Sequence, residues 1–255
     1  MTTTTPHAVD LHGHPVAAPD QWLERRLALL ARERALMQLH DEVARERRAL
    51  PWRRLERDYV FDTPAGPRRL AELFGDKRQL LLQHFMLAPG EGEGCRGCSF
   101  MADHVDPMLP HLAQRDVAFV AVSRAPLAEI ERFRERMGWR FPWVSSHGSA
   151  FNADFGVSFT PAQRAGGEVP YNYAMRPFPH ADAPGVSVFA KDGAGEVFHA
   201  YATFGRGVEV MMGTYALLDL VPRGRDEAPG QGMAWLRHHD RYEQPAPPPA
   251  CCGAA

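Results

Sequence analysis

The chain has 255 residues, 45% of them hydrophobic and 24% charged, which is the balance of one large globular domain or two small ones. A formal net charge of −2 gives bulk electrostatics no hold on nucleic acid. No apolar run approaches the ~18 residues that would mark a membrane span.

Residues 1–19 read as a polar, disordered leader with Pro6, Pro15 and Pro19 and no periodicity. They carry neither the basic start nor the apolar core of a secretory signal, so the expected compartment is the cytoplasm. Asp20 is the expected N-cap of a long helix over residues 20–50. In it Trp22, Leu29, Leu36, Val43 and Leu50 recur every seven residues, an apolar stripe ended by Pro51. A stripe from residue 22 to 50 is about 42 Å long at 1.5 Å per residue. A compact core of about 150 residues has a radius of gyration of only about 15 Å. The stripe is expected to pack on the domain behind it; being longer than that core, it is also expected to overrun it and leave apolar surface through which two copies pair as a homodimer.

Residues 58–61 and 69–74 flank a Pro-Gly turn and read as a small hairpin. QLLLQHFM (79–86) is a strand buried on both faces. A Gly-rich loop (89–94) follows, and CRGC opens a helical stretch over 99–114, which Pro107 and Pro110 are expected to kink or split. VAFVAV (117–122) is a second buried strand, 126–137 a helix, and 143–146 a third strand. Residues 148–172 read as a long ordered loop. Strands at 186–190 and 196–203 flank the turn KDGAG, and 208–220 is a last helix. Beyond 243 the chain is a Pro-rich flexible tail. The domain expected is 51–243. Its strand–helix–strand–helix order, followed by a hairpin and a helix, predicts an α/β, thioredoxin-like mixed sheet flanked by helices, preceded by the long N-terminal helix.

Cysteine is confined to Cys95, Cys98, Cys251 and Cys252, too few for a secreted disulfide scaffold. A close pair in a cytosolic chain points to redox or metal chemistry. Cys95-Arg96-Gly97-Cys98 follows a buried strand and opens a helix, so the first sulfur lies beside backbone N–H groups that favour a thiolate. Arg96 adds to that field. Cys95 is then the attacking nucleophile and Cys98 the resolving thiol. Pro184, just before the strand GVSVF, holds the place where thioredoxin-like chains carry a cis-proline facing the cysteines. Arg124 sits at a strand's carboxyl end, where α/β sites collect, and Tyr171 and Tyr173 are candidates to wall a pocket.

A metal reading stays open. Cys95, Cys98 and His199 would make a copper site in the manner of Sco-type proteins, or part of a zinc site, with His84 and His104 as weaker ligands. A c-type haem site is excluded because residue 99 is serine. The redox reading needs no cofactor and takes a protein or small-molecule thiol or disulfide as partner. A third reading is a thioredoxin-like interaction module with idle cysteines.

Longer strings carry a resemblance. They are QHFM (83–86), GCRGCSFMADH (94–104), VAVSRAPLAEIERFRERMGWRFPWVSS (120–146), FNADFGVSF (151–159) and YNY (171–173), then GVSVFAKDGAGEVFHAYATFGRG (185–207) and GTYALLDLVPRGRDE (213–227). The chain resembles the bacterial DUF899 family over about residues 20–243. The resemblance implies a thioredoxin-like fold related in outline to peroxiredoxins, places the family's motif on Cys95 and Cys98, and implies no settled activity.

Overall fold

The structure, a computed structural model, describes residues 13–243. The expected leader up to residue 12 and the tail with Cys251 and Cys252 lie outside the described residues. The chain divides into two compact units, one ending at Pro51 and the other starting at Trp52.

The first unit is the helix α1 (Pro19–Ala49). Its cap is Ala18, which gives no side-chain hydrogen bond; Pro19 opens the helix and Asp20 falls in the first turn instead of capping it. Proline suits a first turn, where its missing N–H is no loss, and an acidic residue there meets the positive end of the helix dipole. None of its side chains is buried. Trp22, Leu29, Leu36, Val43 and Leu50 all stand exposed.

The second unit begins with three two-residue strands, β1 (Arg53–Arg54), β2 (Val60–Phe61) and β3 (Arg68–Arg69). Its centre is β4 (Gln79–His84), followed by α2 (Arg96–Ala102), α3 (Val105–Ala113), β5 (Val117–Ser123), α4 (Leu127–Met137) and β6 (Trp143–Ser145). Residues 148–176, expected as loop, hold two short helices, α5 (Phe151–Asp154) and α6 (Pro161–Ala165), and a hairpin, β7 (Val169–Tyr171) and β8 (Ala174–Arg176). Asn172 and Tyr173 turn that hairpin with φ of 53° and 62°, the backbone a two-residue turn demands. The long hairpin β9 (Gly185–Lys191) and β10 (Val197–Phe204) closes the sheet, and α7 (Gly213–Leu218) follows a 3-10 segment.

The six-stranded sheet runs β1-β10-β9-β4-β5-β6. β4, β5 and β6 are parallel; β9 is antiparallel to β4, and β10 to β9. Parallel strands β4 and β5 joined by helices, extended by β6, with an antiparallel hairpin on the other side of β4, make the thioredoxin-like arrangement. The expected fold class is therefore the observed one. Among the described residues no helix is long and apolar enough to cross a membrane.

Side-chain alternation along β4 and β9 divides the core. Leu80, Leu82 and Phe189 pack with Phe151 and Phe155 on one face. Phe85, Trp139 and Trp143 pack with Cys98, Phe133 and Met101 on the other. Each such side chain contributes about 1.5–3 kcal/mol through burial.

Two helical expectations need correction. The stretch after the cysteines does break, but at Asp103–His104 and not at its prolines; Pro110 lies inside α3. His104 makes the break by binding elsewhere: Nδ1 meets Phe100 O at 3.0 Å, and Nε2 accepts the Thr214 N–H at 3.1 Å. The last helix is also not continuous, being a 3-10 segment (Gly205–Met211) and then α7. Gly213 stands at the junction because the His104 ring lies 3.2 Å from where a Cβ would be.

Candidate functional site

The site begins where β4 ends. Cys95 N–H donates to Met86 O at 3.0 Å, and Met86 N–H points at Cys98 Sγ at 3.5 Å. One residue beyond the strand thus holds both cysteines. Cys95 is the N-cap residue of α2, and its carbonyl accepts Ser99 N–H and Ser99 Oγ–H, each at 2.9 Å. Cys98 lies one turn further on, so the two side chains share a face of the helix. Cys95 is half-buried and Cys98 is 1% exposed; both are thiols, with no disulfide between them. Gln83 Nε2 donates to Cys98 O at 3.0 Å and holds that turn against the sheet.

Both thiols line a cavity of about 380 Å³. Its other walls include Met86, Met101, Tyr171, Pro184, Met212 and Met233. Tyr171 is fixed at both ends of its hydroxyl: Oη–H donates to Pro184 O at 2.7 Å, and Gly205 N–H donates to Oη at 2.9 Å. Burial pushes its phenol up to about 12, and the nearby Cys98 adds to the rise, so Tyr171 stays neutral. Glu227 closes another side, where Oε1 accepts Tyr215 Oη–H (2.6 Å), Met233 N–H (2.8 Å) and Trp235 Nε1–H (2.8 Å). Burial pushes the Glu227 carboxyl up, but those hydrogen bonds outweigh it and hold it below its ordinary value.

The loop entering Cys95 is clamped from the C-terminal segment. His238 Nε2 bonds Gly94 O at 2.8 Å while its Nδ1 faces Arg136 Nη2 at 3.1 Å. Glu93 pairs with Arg136 at 2.8 Å and with Arg241. Arg96 Nη1 donates to Leu236 O at 3.1 Å and holds the same segment.

The cavity brings together four of the residues singled out from sequence: Cys95, Cys98, Pro184 and Tyr171. Among the described residues no peptide bond is cis, so the bond before Pro184 is trans. Arg124 does not line the cavity; its fork grips Asp182 at 2.7 and 2.9 Å. Tyr173 is 79% exposed and donates to Ala202 O at 3.1 Å. His104 is engaged with Phe100 and Thr214, as described.

His84 and His199 lie on the opposite face of the sheet from Cys98. His84 stacks on Phe151 with ring centroids 5.7 Å apart and meets Ser187 Oγ at 2.8 Å. His199 stands edge-on to Phe155 at 5.2 Å. The expected Cys-Cys-His grouping does not form. Among the described residues no group of three or more His, Cys, Asp and Glu side chains is placed to hold a metal. Burial, with help from His199, lowers His84 to about 3. Burial and then Arg53 lower His199 to about 4.

Sequence reasoning missed the methionines, Glu227 and His238. The methionines come from four separate segments, and His238 stands 144 residues beyond its partner Gly94. Nothing local to any of them points to the cysteines.

Fold and site together define a thioredoxin-like protein with a CxxC dithiol lining a cavity. Residues 11–242 match the family described as "Bacterial protein of unknown function (DUF899)", and the chain belongs to that family. No curated protein matches it in sequence. Among solved structures it is similar to peroxidoxin BcpB from Mycobacterium tuberculosis, at 18% identity over 62% of this chain and 91% of that one, with a TM-score of 0.41. The bacterioferritin comigratory protein of Xanthomonas campestris is similar at 13% identity, covering 61% and 88%, with a TM-score of 0.41. A PrxQ mutant of Xylella fastidiosa follows at 12% identity, covering 62% and 88%, with a TM-score of 0.38.

Proposed function

We propose that this protein is a thiol–disulfide oxidoreductase in which Cys95 attacks and Cys98 resolves. One observation carries the reading: a half-buried thiol and a buried thiol, one helical turn apart, line the same cavity. Cys95 is the more open of the two and meets the substrate first. Its thiolate attacks a substrate disulfide, a mixed disulfide forms, and one substrate thiolate leaves and takes a proton from solvent. Cys98 then attacks Cys95 Sγ and releases the second thiol, with the Met86 N–H pointing at the reacting Cys98 sulfur. Two electrons pass from the protein dithiol to the substrate. A small dithiol or a protein thiol returns them. Tyr171, neutral and doubly hydrogen-bonded, fixes the wall opposite and takes no proton in the cycle.

The test is disulfide reduction with dithiothreitol as electron source. Cys95→Ser removes the nucleophile and abolishes turnover. Cys98→Ser leaves the first attack intact and, mixed with the substrate disulfide in the absence of dithiothreitol, stalls as a mixed disulfide, visible as an adduct in intact-mass spectra. Turnover unchanged in both variants would sink the reading.

A further inference from the structure

A polypeptide docks beside a sheet as an added strand, and that needs free backbone N–H and C=O groups along the receiving segment. In this chain the segment leading into Pro184 has its groups engaged already. Phe159 N–H donates to Ala181 O at 2.8 Å, and Ala183 N–H donates to Val157 O at 2.9 Å. Ser158 and Asp182 form an antiparallel bridge between those two bonds. Pro184 brings no N–H, and its carbonyl accepts the Tyr171 hydroxyl. The chain's own residues 157–159 therefore lie where an incoming strand would. The Arg124 fork on Asp182, with the Ser158 hydroxyl on the same carboxylate, holds them there.

What remains open to the dithiol is the cavity. Its volume of about 380 Å³ falls in the range of small-molecule sites. Its methionines, Met86, Met101, Met212 and Met233, are four of the ten in the chain. Thioethers are soft, adaptable contacts for apolar and sulfur-bearing groups. The carboxylates and guanidinium groups on the lining are already engaged, with one another or with neighbours outside it. Arg206 meets Glu209 at 2.9 Å; Arg225 meets Glu209 at 3.2 Å and Asp219 at 2.8 Å; Glu227 holds its three donors. An ionic substrate entering here would leave water without gaining a charge partner, which is costly.

From this we infer that the substrate is a small, uncharged, low-molecular-weight disulfide that enters the methionine-lined cavity, and not a protein disulfide laid along the sheet. The inference rests on the dithiol reading above and narrows it. The electron balance is unchanged: one substrate S–S bond breaks, one Cys95–Cys98 bond forms, and two substrate thiols leave.

The reduced full-length chain is mixed with oxidised lipoamide, with oxidised lipoic acid, or with insulin, and its own oxidation is followed by intact mass. Lipoamide and lipoic acid share a ring and differ in charge. The expected result is oxidation by lipoamide at least about tenfold faster than by lipoic acid, as the desolvation of a carboxylate requires, and faster than by insulin. Met233→Trp, which fills the cavity, should slow lipoamide about tenfold while leaving the melting curve in place. If that variant does not fold, the lipoamide-to-lipoic-acid ratio on the unaltered chain still decides. Cys95-dependent oxidation that is fastest with insulin, or equal for the two small disulfides, would overturn this inference and leave the dithiol reading standing. Oxidation by none of the three in a Cys95-dependent way would overturn both.

Discussion

Gly94 is a small residue with a large part in the site. A Cβ there would run into the rings of Phe85 and Phe133. Those rings sit in the aromatic cluster behind Cys98, and Gly94 O is the atom that His238 holds. Gly94→Ala should therefore cost about 1–3 kcal/mol, the usual range for overpacking a tight core. It should also shift the loop that presents Cys95. Urea melts and the alkylation rate of Cys95 would show both effects. The buried histidines give a second prediction. His84, lowered to about 3, and His199, lowered to about 4, stay neutral in the fold at pH 5 and charge only when the chain unfolds. The unfolded state then binds more protons, so stability is full above pH ~6.5 and falls as pH drops below it, by about 1.4 kcal/mol per pH unit for each such proton. Melts between pH 6.5 and 5 read this before most carboxylates titrate. His199→Phe should flatten the slope by about one proton. The cysteine pair was legible in sequence because its chemistry is local: two thiols, two spacers, one turn. His199 and Arg124 were not, because their places depend on distant partners. His199 faces away from the cysteines through the register of β10 on β9, and Arg124 is taken by Asp182, 58 residues on.

Among the elements, the core strands were read almost residue for residue. β4, β5, β9 and β10 are continuous apolar or alternating runs, and little else can be made of such runs between glycines and prolines. The segment 148–176 was not legible. Its helices have four and five residues and its strands three, too short for any period to register. Tyr171, from the middle of that segment, ties β7 to the start of β9 and to the end of β10 through Pro184 O and Gly205 N. Tyr171→Phe leaves both backbone groups without that partner. The expected loss is about 1–3 kcal/mol in a denaturant melt. An unchanged midpoint would mean that the hydroxyl is not holding the cavity wall.

At the scale of the whole molecule, α1, taken by itself, carries Trp22, Leu29 and Leu36 on its surface. Exposed apolar side chains repeated every seven residues are the pattern that a second helix can cover. A second copy, pairing the Trp22–Leu29–Leu36 stripe with its own, would bury it. Light scattering on the full chain should give twice the 28.5 kDa chain mass at micromolar concentration. Leu29→Glu with Leu36→Glu should return it to the single-chain value; a monomer before and after the change would remove the pairing.

The proposed chemistry requires Cys95 and Cys98 to form a reversible disulfide. The most direct measurement equilibrates the full chain across graded ratios of reduced to oxidised dithiothreitol, quenches it with acid, and scores the peptide that carries both cysteines by mass. The account predicts one two-electron transition, with two hydrogens lost from that peptide and the change abolished by Cys95→Ser or Cys98→Ser. A peptide that stays fully reduced at every ratio would contradict it.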